Sequence, residues 1–101
     1  MGPDAKDALP ALVKALDDKE LSVRGSVVKA LGQIGAEAKD AVPALIKALK
    51  DKAKELREKA AYALGEIGPA AKDALPTLEA LSENDPYPDV CRSAAAAIEK
   101  I

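Results

Sequence analysis

"VRGSVVKALGQIG" (residues 23–35) and "LREKAAYALGEIG" (residues 56–68) are two versions of one phrase. Each runs through an aliphatic residue, Arg, five residues that include a Val or small-residue pair, Ala-Leu-Gly, one variable residue and Ile-Gly, and the two lie 33 residues apart. Working outward, the same interval separates Gly2, Gly35 and Gly68, the tetrapeptide "AKDA" at 5–8, 38–41 and 71–74, and Pro10, Pro43 and Pro76. The chain of 101 residues therefore divides into three units, 2–34, 35–67 and 68–101, forming one domain over 1–101. The third unit needs one extra residue near "SENDPYPD" to bring Val90 beneath Leu56 and Val23. A fixed period in this range marks a solenoid, in which one unit cannot bury its apolar face alone and stacks on its neighbours.

Within a unit the first half carries Leu9, Leu12, Val13 and Leu16, repeated as Val42, Leu45, Ile46 and Leu49. The i, i+3, i+4, i+7 spacing lines these residues along one stripe of a helix. The second half does the same with Val23, Val27, Leu31 and Ile34, then Leu56, Ala60, Leu64 and Ile67, then Val90, Ala94, Ile98 and Ile101. No segment shows the two-residue alternation of a half-buried strand, and Ala, Leu, Lys and Glu favour helix. Each unit is thus expected to be a helical hairpin, giving an all-α chain of about six main helices. Proline is tolerated in the first helical turn and costs about 3 kcal/mol in a helix interior. The first helix of each unit is accordingly expected to begin near Pro10, Pro43 or Pro76, with "AKDA" as a separate turn or a short helix meeting it at a kink. Gly35 and Gly68 follow the last apolar residue of the second helices, where a residue at positive φ ends a helix.

Composition narrows the function. Apolar residues make up 49% of the chain and charged residues 32%, with Tyr62 and Tyr87 the only aromatics, so the core must be aliphatic. A formal net charge of -2 supplies no overall basic field for nucleic acid or anionic lipid, and no apolar run approaches a membrane span. The opening "MGPDAKD" has neither a basic n-region nor an apolar h-region, and one cysteine, Cys91, makes no intrachain disulfide; a cytoplasmic setting is the expectation. Histidine is absent, which removes the commonest general base and metal ligand and excludes a Ser-His or Cys-His nucleophile. Asp7, Asp40 and Asp73 recur with the repeat, as capping or solvated residues do, whereas a catalytic carboxylate pair needs two differing environments. No catalytic residue, cofactor or metal ligand is assigned.

These phrases, with "PAAKDALPTL" (residues 69–78), resemble the short HEAT-like repeat known from phycobilin lyases and from helical scaffold proteins, artificial consensus ones included. The resemblance covers essentially the whole chain and implies an α-solenoid with a right-handed superhelix. It further implies that the repeated arginine, Arg24 and Arg57, pairs with an acid of the neighbouring unit, for which Asp18, Asp51 and Asp85 are the candidates. The third unit departs from the pattern, with Cys91 in place of the arginine and Glu99 in place of Gly32 and Gly65, so the ladder is expected to stop there. The two glycines imply close helix approach.

With Val23 at zero on a helical wheel, positions 25, 26, 29 and 33 face away from the apolar sector. The exposed columns become Gly25, Ser26, Lys29 and Gln33; Glu58, Lys59, Tyr62 and Glu66; Arg92, Ser93, Ala96 and Lys100. In the family the second helices line the concave face, which implies a protein-binding surface here, centred on Tyr62. Two alternatives remain at this point: a structural or consensus-like repeat module without a dedicated ligand, or a fragment of a longer array. The first unit keeps its apolar pattern with no polar softening, so the chain is expected to be a monomer or to self-associate weakly through its N-terminal face.

Overall fold

The structure, a computed structural model, describes the backbone of residues 5–101 and the side chains of residues 8–101. Gly2, which opens the first unit, and the carboxylate of Asp7 lie outside the described residues. The elements are α1 (Ala5–Ala15), α2 (Leu21–Ile34), a 3₁₀ segment (Gly35–Ala41), α3 (Val42–Ala48), α4 (Lys54–Ile67), a second 3₁₀ segment (Gly68–Ala74), α5 (Leu75–Asn84) and α6 (Pro88–Lys100). The described residues contain no strand.

One expectation changes in kind. The 3₁₀ segments join α2 to α3 and α4 to α5 without a gap, so the helical residues form four unbroken stretches rather than six separate main helices. The reason lies in "AKDA". Gly35 and Gly68, at φ 70° and 79°, turn the chain out of the preceding helix, and the backbone then tightens to 3₁₀ with one kink at Ala38 (φ -87°, ψ 15°) or Ala71 (φ -96°, ψ 16°). Pro43 and Pro76 stand in the first two positions of α3 and α5, where their missing N–H has no helical acceptor to lose.

The first unit departs from this. Pro10 lies inside α1, which has already begun at Ala5. In the later units Ala41 and Ala74 are sealed against the core, whereas Ala8 is only half-buried.

The core is aliphatic, with Leu31, Leu45, Leu49, Leu56, Leu64, Ile67 and Leu78 fully buried and no buried polar residue among those described. Each such side chain contributes about 1.5–3 kcal/mol of transfer free energy. Val23 is the exception to the predicted stripe: it is 37% exposed, whereas its equivalents Leu56 and Val90 are each 1% exposed. The wheel places Val23 correctly; among the described residues no unit lies in front of it. Leu56 borders a cleft with Val13 and Leu16 of the preceding unit, and Val23 has no such neighbour among the described residues. No helix is long and apolar enough to cross a membrane.

Candidate protein-binding face

Helix α4 packs between α2 and α6. Glycine governs how closely. A Cβ added at Gly32 would meet the Ala63 Cα at 3.3 Å, and one at Gly65 would meet the Ala97 Cα at 3.2 Å, so a side chain at either position would push the facing backbone back by a few tenths of an ångström. Near the start of α2, a Cβ on Gly25 would meet the Lys59 amine at 3.2 Å. Contacts offset by about one repeat at both ends of α2 mean that the second helices run in the same direction, and their equivalent positions form rows.

The rows hold most of the predicted face. Ser26, Lys29, Gln33, Lys59, Tyr62, Glu66, Arg92, Ala96 and Lys100 are exposed, Glu58 and Ser93 are half-buried, and Gly25 is buried beneath Lys59. The structure draws one group of them together. Tyr62 is 59% exposed, and the Lys100 amine lies 5.4 Å from the centre of its ring and 2.8 Å from a Glu66 carboxylate oxygen. Glu66 raises the Lys100 amine above its ordinary range, first by that hydrogen bond and then by charge. With Gly65, Ser93 and Ala97, Tyr62 and Lys100 line a depression of about 90 Å³ between α4 and α6. Ser26, Lys29 and Gln33 make no side-chain hydrogen bond or ion pair to the described residues. Arg92 turns along its own helix to Asp89, which neutralises its charge locally.

The opposite edge carries the ladder. Arg57 Nε donates to Asp85 Oδ2 at 2.7 Å and Nη2 donates to Oδ1 at 3.2 Å, while Nη1 reaches the Asp51 and Lys52 carbonyls at 2.8 and 3.0 Å. Arg24 repeats the carbonyl contacts, to Asp18 and Lys19 at 2.7 and 3.1 Å, but its Nε stands 3.5 Å from Asp51 without a hydrogen bond. The hydrogen bond from Arg57 holds the Asp85 carboxyl below the usual carboxylate range against the opposing effect of burial, and Asp85 in turn pushes the guanidinium up. Cys91 replaces the arginine and keeps one contact: its thiol donates to the Asp85 carbonyl at 3.2 Å, as Arg57 does to that of Asp51. A half-buried thiol in that position ends the ladder.

Two features of this edge escape the periodic reading. Tyr87, in the irregular "DPYPD", packs beneath Lys54 (4.7 Å to the ring centre) and Arg57 (6.0 Å), and its N–H donates to Asp85. It stitches the loop before α6 onto α4. Clefts of about 780 and 590 Å³ open between successive units along the ladder, and no pattern of residue types foretells them. Among the described residues no cluster of three metal-ligating side chains occurs.

A family model described as HEAT repeats matches residues 9–99. Two similar solved structures are a designed armadillo repeat protein in complex with the peptide (KR)4 and an engineered protein. The first has a TM-score of 0.81 at 28% identity and covers 93% of this chain and 46% of its own; the second has 0.73 at 28%, with 98% and 50%. The chain thus spans about half the length of these structures. Among curated proteins there is no matching relative.

Proposed function

We propose, from the premise that this chain belongs to the HEAT-repeat family, that it is a non-catalytic scaffold binding an extended protein segment along the face of α2, α4 and α6. In this reading the face is the concave side of a right-handed superhelix of three hairpins, 2–34, 35–67 and 68–101, and nucleic acid is not a ligand. The observation that carries it is Tyr62, an aromatic ring held open to solvent between Gly32 and Lys100 at the middle of the array. Exposed aromatics at the centre of a patch are the usual anchors of an interface. The likeness to a designed armadillo repeat protein that holds a peptide supports the same mode of use.

Charge gives the reading a direction. With Lys100 paired to Glu66 and Arg92 to Asp89, the cations left on the face are Lys29 and Lys59. They favour a segment carrying acidic residues and disfavour the basic peptide bound by the armadillo relative. The test is selection from a random peptide library displayed on phage, followed by calorimetry of the enriched peptides. Acidic, apolar-anchored sequences are expected, with Tyr62→Ala weakening them about 30-fold, the size of a 2 kcal/mol anchor. Enrichment of basic sequences, or binders indifferent to both Tyr62→Ala and Lys59→Glu, refutes the assignment of the face.

A further inference from the structure

The two ends of the stack differ, and the internal interfaces show what each end is fit for. At an interface between units the later unit contributes an aliphatic residue (Leu56, Val90), an alanine (Ala63, Ala97) and an aspartate (Asp51, Asp85). The earlier unit contributes the glycine that admits the alanine and the arginine that reaches the aspartate. The first unit presents the complete later-unit set with nothing against it among the described residues. Val23 and Leu21 are exposed, and Ala30 is half-buried where Ala63 and Ala97 are sealed. Asp18 accepts the Glu20 N–H at 2.8 Å, just as Asp51 accepts that of Ala53 at 2.9 Å and Asp85 that of Tyr87 at 3.0 Å, yet no described guanidinium reaches it as a neighbour's does Asp51 and Asp85.

The other end refuses. Glu99 occupies the glycine position, Cys91 the arginine position, and Ala95 is exposed where Val28 and Ala61 are fully buried. At the internal seams the facing alanine Cα comes within 3.3 Å (Gly32) or 3.2 Å (Gly65) of the point a Cβ would occupy. Glu99 fills that point with a whole carboxylate-bearing side chain, so an incoming alanine cannot close to the same distance. A second copy of this chain stacked head to tail therefore does not fit.

We propose that the α1–α2 end is a docking surface for one further repeat hairpin supplied by a partner chain, whose second helix carries arginine and glycine eight residues apart, as Arg24–Gly32 and Arg57–Gly65 do. Its arginine bridges to Asp18, its glycine admits Ala30, and Val23 becomes covered as Leu56 and Val90 are. Growth of the stack is thereby confined to one end.

The test converts the refusing end into a donor. The variant Cys91→Arg/Glu99→Gly restores the arginine and the glycine, and adding Val23→Glu disables its own receiving end. Mixed with the unaltered chain in analytical ultracentrifugation, this triple variant is expected to form a 1:1 complex and nothing larger, at least tenfold tighter than any self-association of the unaltered chain. Asp18→Lys in the receiving partner is expected to weaken the complex at least tenfold. If circular dichroism shows that the triple variant has lost its helices, Val23→Glu/Glu99→Gly serves as the donor with the same expectation. Absence of a complex with a folded donor, a complex indifferent to Asp18→Lys, or equally tight self-association of the unaltered chain would overturn the proposal.

Discussion

The two rungs of the ladder have one sequence pattern and two geometries, so they differ in energy by an amount that can be worked out. Both arginines spend Nη1 on a pair of backbone carbonyls, and this part is common to them. The remainder is the carboxylate. Arg57 grips Asp85 through two hydrogen bonds with side chains 12% and 2% exposed, whereas Arg24 stands 3.5 Å from Asp51 with side chains 19% and 22% exposed. Exposed pairs contribute about 0–1 kcal/mol, and removing one partner of a buried pair costs about 3–5 kcal/mol because the other charge is stranded. Asp85 keeps the Tyr87 N–H, which eases that penalty, so Arg57→Ala should cost about 3 kcal/mol and Arg24→Ala about 1 kcal/mol. At about 4–8 °C per kcal/mol for a small domain, the melting temperature falls by about 12–24 °C in the first case and about 4–8 °C in the second. Urea unfolding followed by circular dichroism, run as double-mutant cycles with Asp85→Ala and Asp51→Ala, isolates the pairwise part because the carbonyl contacts cancel. Coupling of about 2 kcal/mol for Arg57–Asp85 and below about 1 kcal/mol for Arg24–Asp51 is expected. Equal couplings would refute the claim that burial and bidentate geometry, rather than the repeat position, decide a rung's strength.

The acid limb of stability should follow the same carboxylate. Asp85 titrates lower in the folded chain than in the unfolded one, where carboxyls titrate near about 3.9, so its contribution is complete above about pH 5 and fades as pH falls through the folded value. Asp85→Asn is expected to flatten the loss of urea midpoint between about pH 5 and about pH 2.5, and an unchanged slope would exclude Asp85 as its source. Gly65→Val drives a branched side chain against the Ala97 backbone and should cost about 1–3 kcal/mol in urea unfolding. Gly68→Ala meets nothing within 4 Å, so its cost, about 1–2 kcal/mol, isolates the φ of 79°; a neutral Gly68→Ala would show that the turn relaxes.

What periodicity reveals here is phase, and what it conceals is neighbours. Val23, Leu56 and Val90 share one phase, and the sequence alone makes them equivalent. Burial separates them because it depends on whether a unit lies in front. The ladder shows the same limit: the candidate pairs follow from the family pattern, but the 3.5 Å and 2.7 Å separations depend on where the chain goes after Asp51 and Asp85. After Asp85 it passes through two prolines, Pro86 and Pro88, and Tyr87 between them folds back beneath Arg57. Nothing periodic encodes that return. The kinked 3₁₀ turn is half legible, since Pro43 and Pro76 disfavour a continuous α-helix through "AKDA" but do not say whether the chain breaks, tightens or runs on. In α1 the same proline accompanies a different answer, with the helix running through Pro10.

The face and the stack also share a cause. A side chain at position 32 or 65 would hold neighbouring second helices apart, and the side chains flanking the seam could then turn inward to fill the gap. With glycine there, the Ala63 and Ala97 backbones close the seam, and the larger neighbours have only the outer surface left. Tyr62 lies 3.8 Å from the Cβ position of Gly32, and the Lys100 stem lies 3.4 Å from that of Gly65, so each lies across a glycine at the rim of the seam it cannot enter. The residue that permits the stack therefore also sets Tyr62 and Lys100 out on the face. It follows that Gly32→Leu should both destabilise the chain and alter peptide binding at Tyr62, whereas Leu78→Ala, a fully buried site away from that seam, should lower stability alone by about 2–5 kcal/mol. Peptide calorimetry on both variants, at a temperature where circular dichroism shows each to be folded, separates the two effects; equal binding losses would mean that the face depends on global stability and not on the glycine seam.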